Sequence, residues 1–277
     1  MLANPEYGEC ILDAAKIVAP PVAVAMLPTT AGTGSEATQN AIVFVEEKKL
    51  KVGVVHPSFI PRCVFLDPEL TATMPPHVTA STGIDAFCHA IECLVSKKGN
   101  PFSQAFALRA LGMIEKNLPA AYRDGGNLAA REQMLLASFY AGVCINTAST
   151  VAVHALSYPL GGTYRIPHGV ANAMLLMPVM RFNADAIGPE LAMAADAMGL
   201  GAGKSQAEQA AAALDAMERL VRDVKIPVDL AAFNVRESDI GALADAALEV
   251  RRLLDQNPKA MSRSDIVEIY QTLFPKQ

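Results

Sequence analysis

From Met134 to Tyr164 the chain carries no Asp, Glu, Lys or Arg. A run of that length must be buried somewhere, either in a bilayer or inside a protein core. Asn146, Thr147, Ser149, Thr150, His154 and Pro159 interrupt it, and neither an aromatic belt nor a basic cluster flanks it. The expectation is therefore two buried helices of a soluble core, with no membrane span. His154 lies in its second half, in STVAVHALSYPLGG, where an unpartnered imidazole would be costly to desolvate.

Helical periodicity runs from Pro75 to the end of the chain. HVTASTGIDAFCHAIECLVS, PFSQAFALRALGMIEKNLPAAYR, LAAREQMLLASFYAGVCIN, VANAMLLMPVMRFN, PELAMAADAMGL, SQAEQAAAALDAMERLVRDV, ESDIGALADAALEVRRLL and SRSDIVEIYQTLF space their apolar residues as amphipathic or buried helices do. Ser or Asp near several starts suggests N-caps. Before Pro75 the texture differs. ECILDAAKIVA reads as a helix stopped by Pro20 and Pro21. VAVAML and CVFLD read as strands buried on both faces, and AIVFVEEKKLKVGVV as a hairpin. This predicts an α/β N-terminal part over residues 1–72 and a larger all-α domain over residues 73–277, mostly helical overall.

In GIDAFCHAIE, Asp85 and His89 are four residues apart, which on a helix puts both on one face about 6 Å apart along the axis. His168 ends the Gly/Pro-containing stretch GGTYRIPHG. With His154 these make one carboxylate and three imidazoles, a set suited to a divalent first-row metal. Taken singly each has a plainer reading: a helix-surface hydrogen bond for the Asp–His pair, a satisfied core residue for a lone His. His56 and His77, beside Pro57 and Pro76, read as loop or helix-start residues, and Met174, Met177 and Met180 as core filler. PTTAGTGSE combines two glycines with hydroxyl residues, as a pyrophosphate-cradling loop does and as many plain turns also do.

The chain has 277 residues, 52% of them hydrophobic and 18% charged, with a net charge of −5, which argues against disorder and against nucleic acid or anionic membrane surfaces as partners. Five cysteines without a CxxC read as reduced thiols, and the N-terminus shows no signal-peptide pattern, so a cytoplasmic protein is expected.

PTTAGTGSEAT, GIDAFCHAIE and HALSYPLGGTYRIPHGVANA, in this order, strongly resemble the iron-containing (group III) alcohol dehydrogenase family, over nearly the whole chain from about Asp13. The resemblance implies the dehydroquinate synthase-like fold, with a Rossmann-like NAD- or NADP-binding domain followed by a helical metal-binding domain. It implies Asp85, His89, His154 and His168 as ligands of Fe(II), or alternatively Zn(II). Thr29, Thr30, Thr33 and Ser35 would line the dinucleotide site with Lys51 beside it. The implied activity is hydride transfer between NAD(P) and a small alcohol or aldehyde, in a homo-oligomer, expected to be a dimer.

Two positions depart from the family pattern. Tyr7, Gly8, Glu9 and Cys10 stand where a GGGS normally precedes DxAK, and the first βαβ units, about a hundred residues, have no counterpart. An N-terminally truncated member is the expectation, with a non-catalytic metal-binding remnant as the alternative. A zinc-dependent polyol dehydrogenase or a dehydroquinate-synthase-like lyase fits less well with TTAGTGSE and HGVANA. Tyr158 stands four residues after His154, where many relatives carry a proton-relaying histidine, so it is the candidate catalytic residue; plain packing is the other reading.

Overall fold

The computed structural model describes residues 4, 6, 10–45 and 50–275. Among the described residues, four short strands precede ten α-helices: β1 (Ala25–Met26), β2 (Asn40–Val45), β3 (Leu50–Val55), β4 (Cys63–Val64), α1 (Pro76–Val95), α2 (Pro101–Arg123), α3 (Leu128–Ile145), α4 (Ala152–Tyr164), α5 (His168–Asn183), α6 (Gly188–Ala197), α7 (Gln206–Asp223), α8 (Ile240–Leu248), α9 (Arg251–Leu254) and α10 (Arg263–Gln271).

α1 is the axis of the bundle and packs on α2, α3 and α5. Pro76 at its first turn needs no N–H partner, and from Gly83 to Val95 every residue is buried. It is long and apolar enough to cross a membrane by length and composition, but 83% of that window is buried within the protein. The uncharged run forms α3 and α4, joined by the bend at 146–151, as two core helices. Capping boxes fix the starts of α2 (Asn100 with Ser103), α7 (Ser205 with Glu208) and α10 (Ser262 with Asp265).

The segment before Pro76 differs from its sequence reading. The predicted first helix is only a 3-10 turn at Ala14–Lys16, with no buried residue to anchor anything longer. The two expected buried strands are two-residue stubs, β1 and β4, paired in parallel through Ala25–Cys63 and Met26–Val64. Their flanks face outward, with Val22, Val24 and Phe65 about half exposed, so neither is buried on both faces. The hairpin is as expected: β2 and β3 pair antiparallel, from Asn40 opposite Val55 to Val45 opposite Leu50. Toward the C-terminus, ESDIGALADAALEVRRLL is broken into a 3-10 turn, α8 and α9. GGTY belongs to the end of α4, and His168 opens α5 after a three-residue link in which Arg165 takes φ 56°.

The threonine-rich loop lies against α3. Gly34 has φ +57°, and a Cβ there would sit 2.6 Å from the Ser138 carbonyl and 2.7 Å from Gly142 Cα. Asn146, just past α3, accepts from the Gln39 N–H at 3.0 Å and donates to the Ala37 carbonyl at 2.6 Å. The hairpin that follows leans through β3 on α4. Loop and hairpin thereby cover the helix face that carries His154.

Candidate metal centre

Asp85 and His89 lie one turn apart on α1, both inside the bundle (3% and 5% exposed), and His154 on α4 meets them there (3% exposed). One donor atom from each of the three falls within 4.8 Å of the others. The His89 and His154 rings stack at 4.6 Å between centroids. His168 Nε2 approaches from the solvent side, 3.6 Å from Asp85 Oδ1, and its side chain keeps 31% exposure. His154 Nε2 is 3.7 Å from the same oxygen. The four predicted ligands therefore come together around Asp85, with three walled in and one at the mouth.

Two residues that the sequence reading passed over organise this cluster. Glu92, fully buried on α1, accepts from the backbone N–H groups of Val151 at 2.9 Å and His154 at 3.3 Å. It thus caps an α4 N-terminus that has no side-chain cap of its own, and its other oxygen meets His154 Nδ1. Nδ1 is thereby committed to Glu92, and Nε2 is aimed at the cluster. Asn172, one turn into α5 and fully buried, puts its amide nitrogen 2.7 Å from Asp85 Oδ1, 3.1 Å from His154 Nε2 and 3.3 Å from His168 Nε2.

The electrostatics suit a cation. Burial raises the cost of charge on Asp85, but His89, His168 and His154 around it outweigh that cost and hold its carboxyl far below the usual range. Burial pushes His89 down, toward the neutral imidazole a metal requires. It also disfavours imidazolium at His154, but Glu92 and Asp85 reverse this and push that ring up to about 9. His89 lies against the Gly32 carbonyl, yet its Nδ1 makes no well-formed hydrogen bond, and Asn172 Oδ1 likewise has no partner among the described residues. A buried carboxylate, convergent imidazoles and orphaned polar atoms are a donor set that fits a divalent ion.

The cluster forms the floor of a cavity of about 480 Å³. Thr33 and Ser35, Ile42 and Phe44 of the hairpin, Tyr158 and Arg252 are among its walls. Thr33 and Ser35 are exposed to the cavity and hydrogen-bonded to each other at 3.1 Å. Thr29 and Thr30 sit earlier in the loop and are not part of this wall; Thr29 is exposed and Thr30 half-buried. Lys51 pairs with Phe44 across the hairpin, and its side chain lies outside the described structure. Of the departing GGGS-like stretch, Tyr7, Gly8 and Glu9 also lie outside the described residues. Tyr158, one turn after His154, is 6% exposed, with its ring centroid 6.2 Å from that of His168.

A metal-ready carboxylate–imidazole centre in a helical bundle, roofed by a threonine-rich loop and a hairpin, defines a class of metal-dependent enzyme folds. Residues 79–274 match the Fe-containing alcohol dehydrogenase family, C-terminal, and residues 2–68 match iron-containing alcohol dehydrogenase. The chain belongs to the iron-containing alcohol dehydrogenase family. It is 38% identical to the lactaldehyde reductase of Escherichia coli K12, over 98% of this chain and 71% of that protein. A solved 1,3-propanediol oxidoreductase superposes with a TM-score of 0.88 at 37% identity, covering 93% of this chain and 68% of that one. Sulfoacetaldehyde reductase from Bifidobacterium kashiwanohense, solved in complex with NAD+, superposes with a TM-score of 0.82 at 32% identity over 91% of this chain and 65% of that one. The chain spans 63% to 71% of the length of such curated relatives.

Proposed function

We propose that this chain acts as a metal-dependent, NAD(P)-linked alcohol dehydrogenase or aldehyde reductase on a small substrate. The observation that carries this reading is the convergence of Asp85, His89, His154 and His168 on the floor of a cavity whose roof is the Thr33–Ser35 loop. Residues 73–277 would form the metal-binding domain and residues 1–72 part of the dinucleotide-binding domain.

Asp85, His89, His154 and His168 would hold Fe(II), with Zn(II) as the other candidate. A metal there would polarise a carbonyl oxygen, and the nicotinamide would supply or accept the hydride. The protein's own part is placement. Glu92 fixes the His154 ring, and Asn172 donates into the cluster. Ile42, Phe44 and Ile145 give the cavity apolar walls. Thr33 and Ser35 offer hydroxyls to the dinucleotide, with Thr29, Thr30 and Lys51 completing its site. The NAD+ complex of the sulfoacetaldehyde reductase supports NAD as the cofactor, and NADP is the alternative.

A homodimer and a cytoplasmic setting belong to the same proposal; all five cysteines are free thiols, in keeping with a reducing compartment. The deciding experiment is NADH oxidation with a short aldehyde such as lactaldehyde, before and after chelation and after reloading with Fe(II) or Zn(II). Activity that falls on chelation and returns on reloading is expected. Metal uptake without NADH binding or turnover would instead select the non-catalytic remnant.

A further inference from the structure

Beside the imidazoles of the cluster, Arg252 is the one arginine or lysine among the described residues that line the cavity. Its position follows from α9, a single turn anchored by buried Leu253 and Leu254. The neighbouring Arg251 turns away and pairs with Asp255 at 3.0 Å, whereas no carboxylate among the described residues pairs with Arg252. Arg252 is exposed, and two neighbours mark where its guanidinium lies at the cavity. Gly53 of β3 leaves room for it, since a Cβ there would come within 3.0 Å of Arg252 Nη2. Tyr158 lies beside it on the other side, where the guanidinium charge and N–H groups work against the burial that raises the phenol. An arginine beside a glycine, facing a cavity and lacking an anionic partner, gives part of its planar donor fork to the Tyr158 phenol and has the rest to offer a ligand.

We propose that Arg252 binds the anionic end of the substrate, and that the substrate is a short aldehyde or alcohol bearing a carboxylate or sulfonate. This rests on the dehydrogenase reading above for the position of the reacting carbon at the metal cluster. Tyr158 bridges the two ends: it shares a helix face with His154, lies 6.2 Å from His168 between ring centroids, and touches the Arg252 environment. A short chain lying along Tyr158 would therefore present its carbonyl to the cluster and its anionic end to the guanidinium. A neutral alcohol of the same length would leave the cation without a partner and would gain only apolar contact. A site built to pair a polar group in this way rejects the analogue that lacks it.

The test compares 4-hydroxybutanoate with its neutral amide, 4-hydroxybutanamide, by isothermal titration into the full chain loaded with Zn(II). The anion is expected to bind about 10- to 100-fold more tightly, the range of a charge-assisted pair. Arg252→Gln should bring the two ligands level, and Arg252→Lys should retain part of the preference. Equal or undetectable binding of the two in the parent protein overturns the proposal. So does a preference that survives Arg252→Gln, which would place the carboxylate on the metal, or an Arg252→Gln variant that weakens NADH alone. Hydride transfer is read separately, from NADH oxidation with 4-oxobutanoate. Arg252-dependent anion preference without turnover would count against the dehydrogenase reading and leave the anion site standing, and 2-hydroxyethanesulfonate in place of the carboxylate distinguishes the two anion types.

Discussion

Glu92 grips His154 at both ends, taking its backbone N–H at 3.3 Å with one oxygen and its ring Nδ1 with the other. One buried carboxylate thus starts helix α4 and sets which imidazole nitrogen faces Asp85. Glu92→Gln keeps the shape but loses the charge that complements the positive end of the α4 dipole and polarises the ring. Metal affinity should fall about 10- to 100-fold, as loss of such a ligand-orienting carboxylate does elsewhere. Competition against a chelator measures it, with the far-UV spectrum confirming intact helices; unchanged affinity would show that Glu92 only caps α4.

The four candidate ligands should not contribute equally. Asp85 meets both His154 and His168 and is walled in, while His168 is 31% exposed at the edge of the cluster. Reconstitution with Fe(II) or Zn(II) should give one ion per chain, largely lost in Asp85→Asn. His168→Ala should retain more metal than His154→Ala, at the expense of faster exchange. Elemental analysis after gel filtration decides; full occupancy in both Asp85→Asn and His168→Ala would exclude this centre.

Gly142 and Gly34 set how closely the threonine-rich loop sits on α3. A Cβ at Gly142 would fall 2.3 Å from the Gly34 carbonyl oxygen, an impossible contact against backbone on both sides. Gly142→Ala should therefore lift the loop and cost about 1–3 kcal/mol, the usual range for overpacking. A drop in denaturant midpoint together with weaker NADH binding is expected, while metal content stays unchanged. Equal stability in the two proteins would mean that the loop yields freely.

The thiols divide by burial. Cys63 is exposed and Cys10 half-buried, whereas Cys88, Cys93 and Cys144 are buried. Burial pushes the thiols of all three upward, Cys144 to about 12. Two groups should label quickly with a thiol reagent in the folded protein and the other three only on unfolding. The sign for stability follows: these thiols stay neutral when folded but ionise above about 8.5 when unfolded. Stability is then full below that value and declines as the pH rises from it toward 12. Rapid labelling of all five groups at neutral pH would contradict the buried placement.

Much of the metal centre was legible because its information is local. Asp85 and His89 declare a shared helix face by their spacing, and His154 stands out in a run with no charge to neutralise it. Glu92 left a signal too, a carboxylate seven residues after Asp85 on the same apolar helix, and was overlooked because its partners, Val151 and His154, lie far along the chain. Arg252 left none: its significance comes from Gly53 and Tyr158, which only the folded chain brings to it. The N-terminal strands were overread for a related reason. Apolar runs such as VAVAML satisfy a strand pattern, but strand length depends on neighbours to pair with, and here β1 and β4 have only each other among the described residues.

Tyr158 gives the sharpest statement about proton movement. It is 6% exposed, and burial lifts its phenol above the ordinary value near 10, with Arg252 working in the opposite direction. The phenol therefore keeps its proton at neutral pH, so it can donate a hydrogen bond but is a poor acceptor of a proton. In metal-loaded protein that turns over, Tyr158→Phe should cost less than tenfold in kcat, since removing such a group deletes a contact and no base. Tyr158→His should introduce an inflection in the pH–rate profile near 6.5, the ordinary imidazole value, and raise the rate above it, because a relay group works best when its pKa is close to the working pH. The variant also removes the phenol beside Arg252, so KM for an anionic aldehyde is followed alongside kcat. A loss of about 10²- to 10⁴-fold in Tyr158→Phe, the scale of general acid–base catalysis, would instead place the phenol on the proton path. A Tyr158→His profile that overlays the parent's would remove this position from proton transfer altogether.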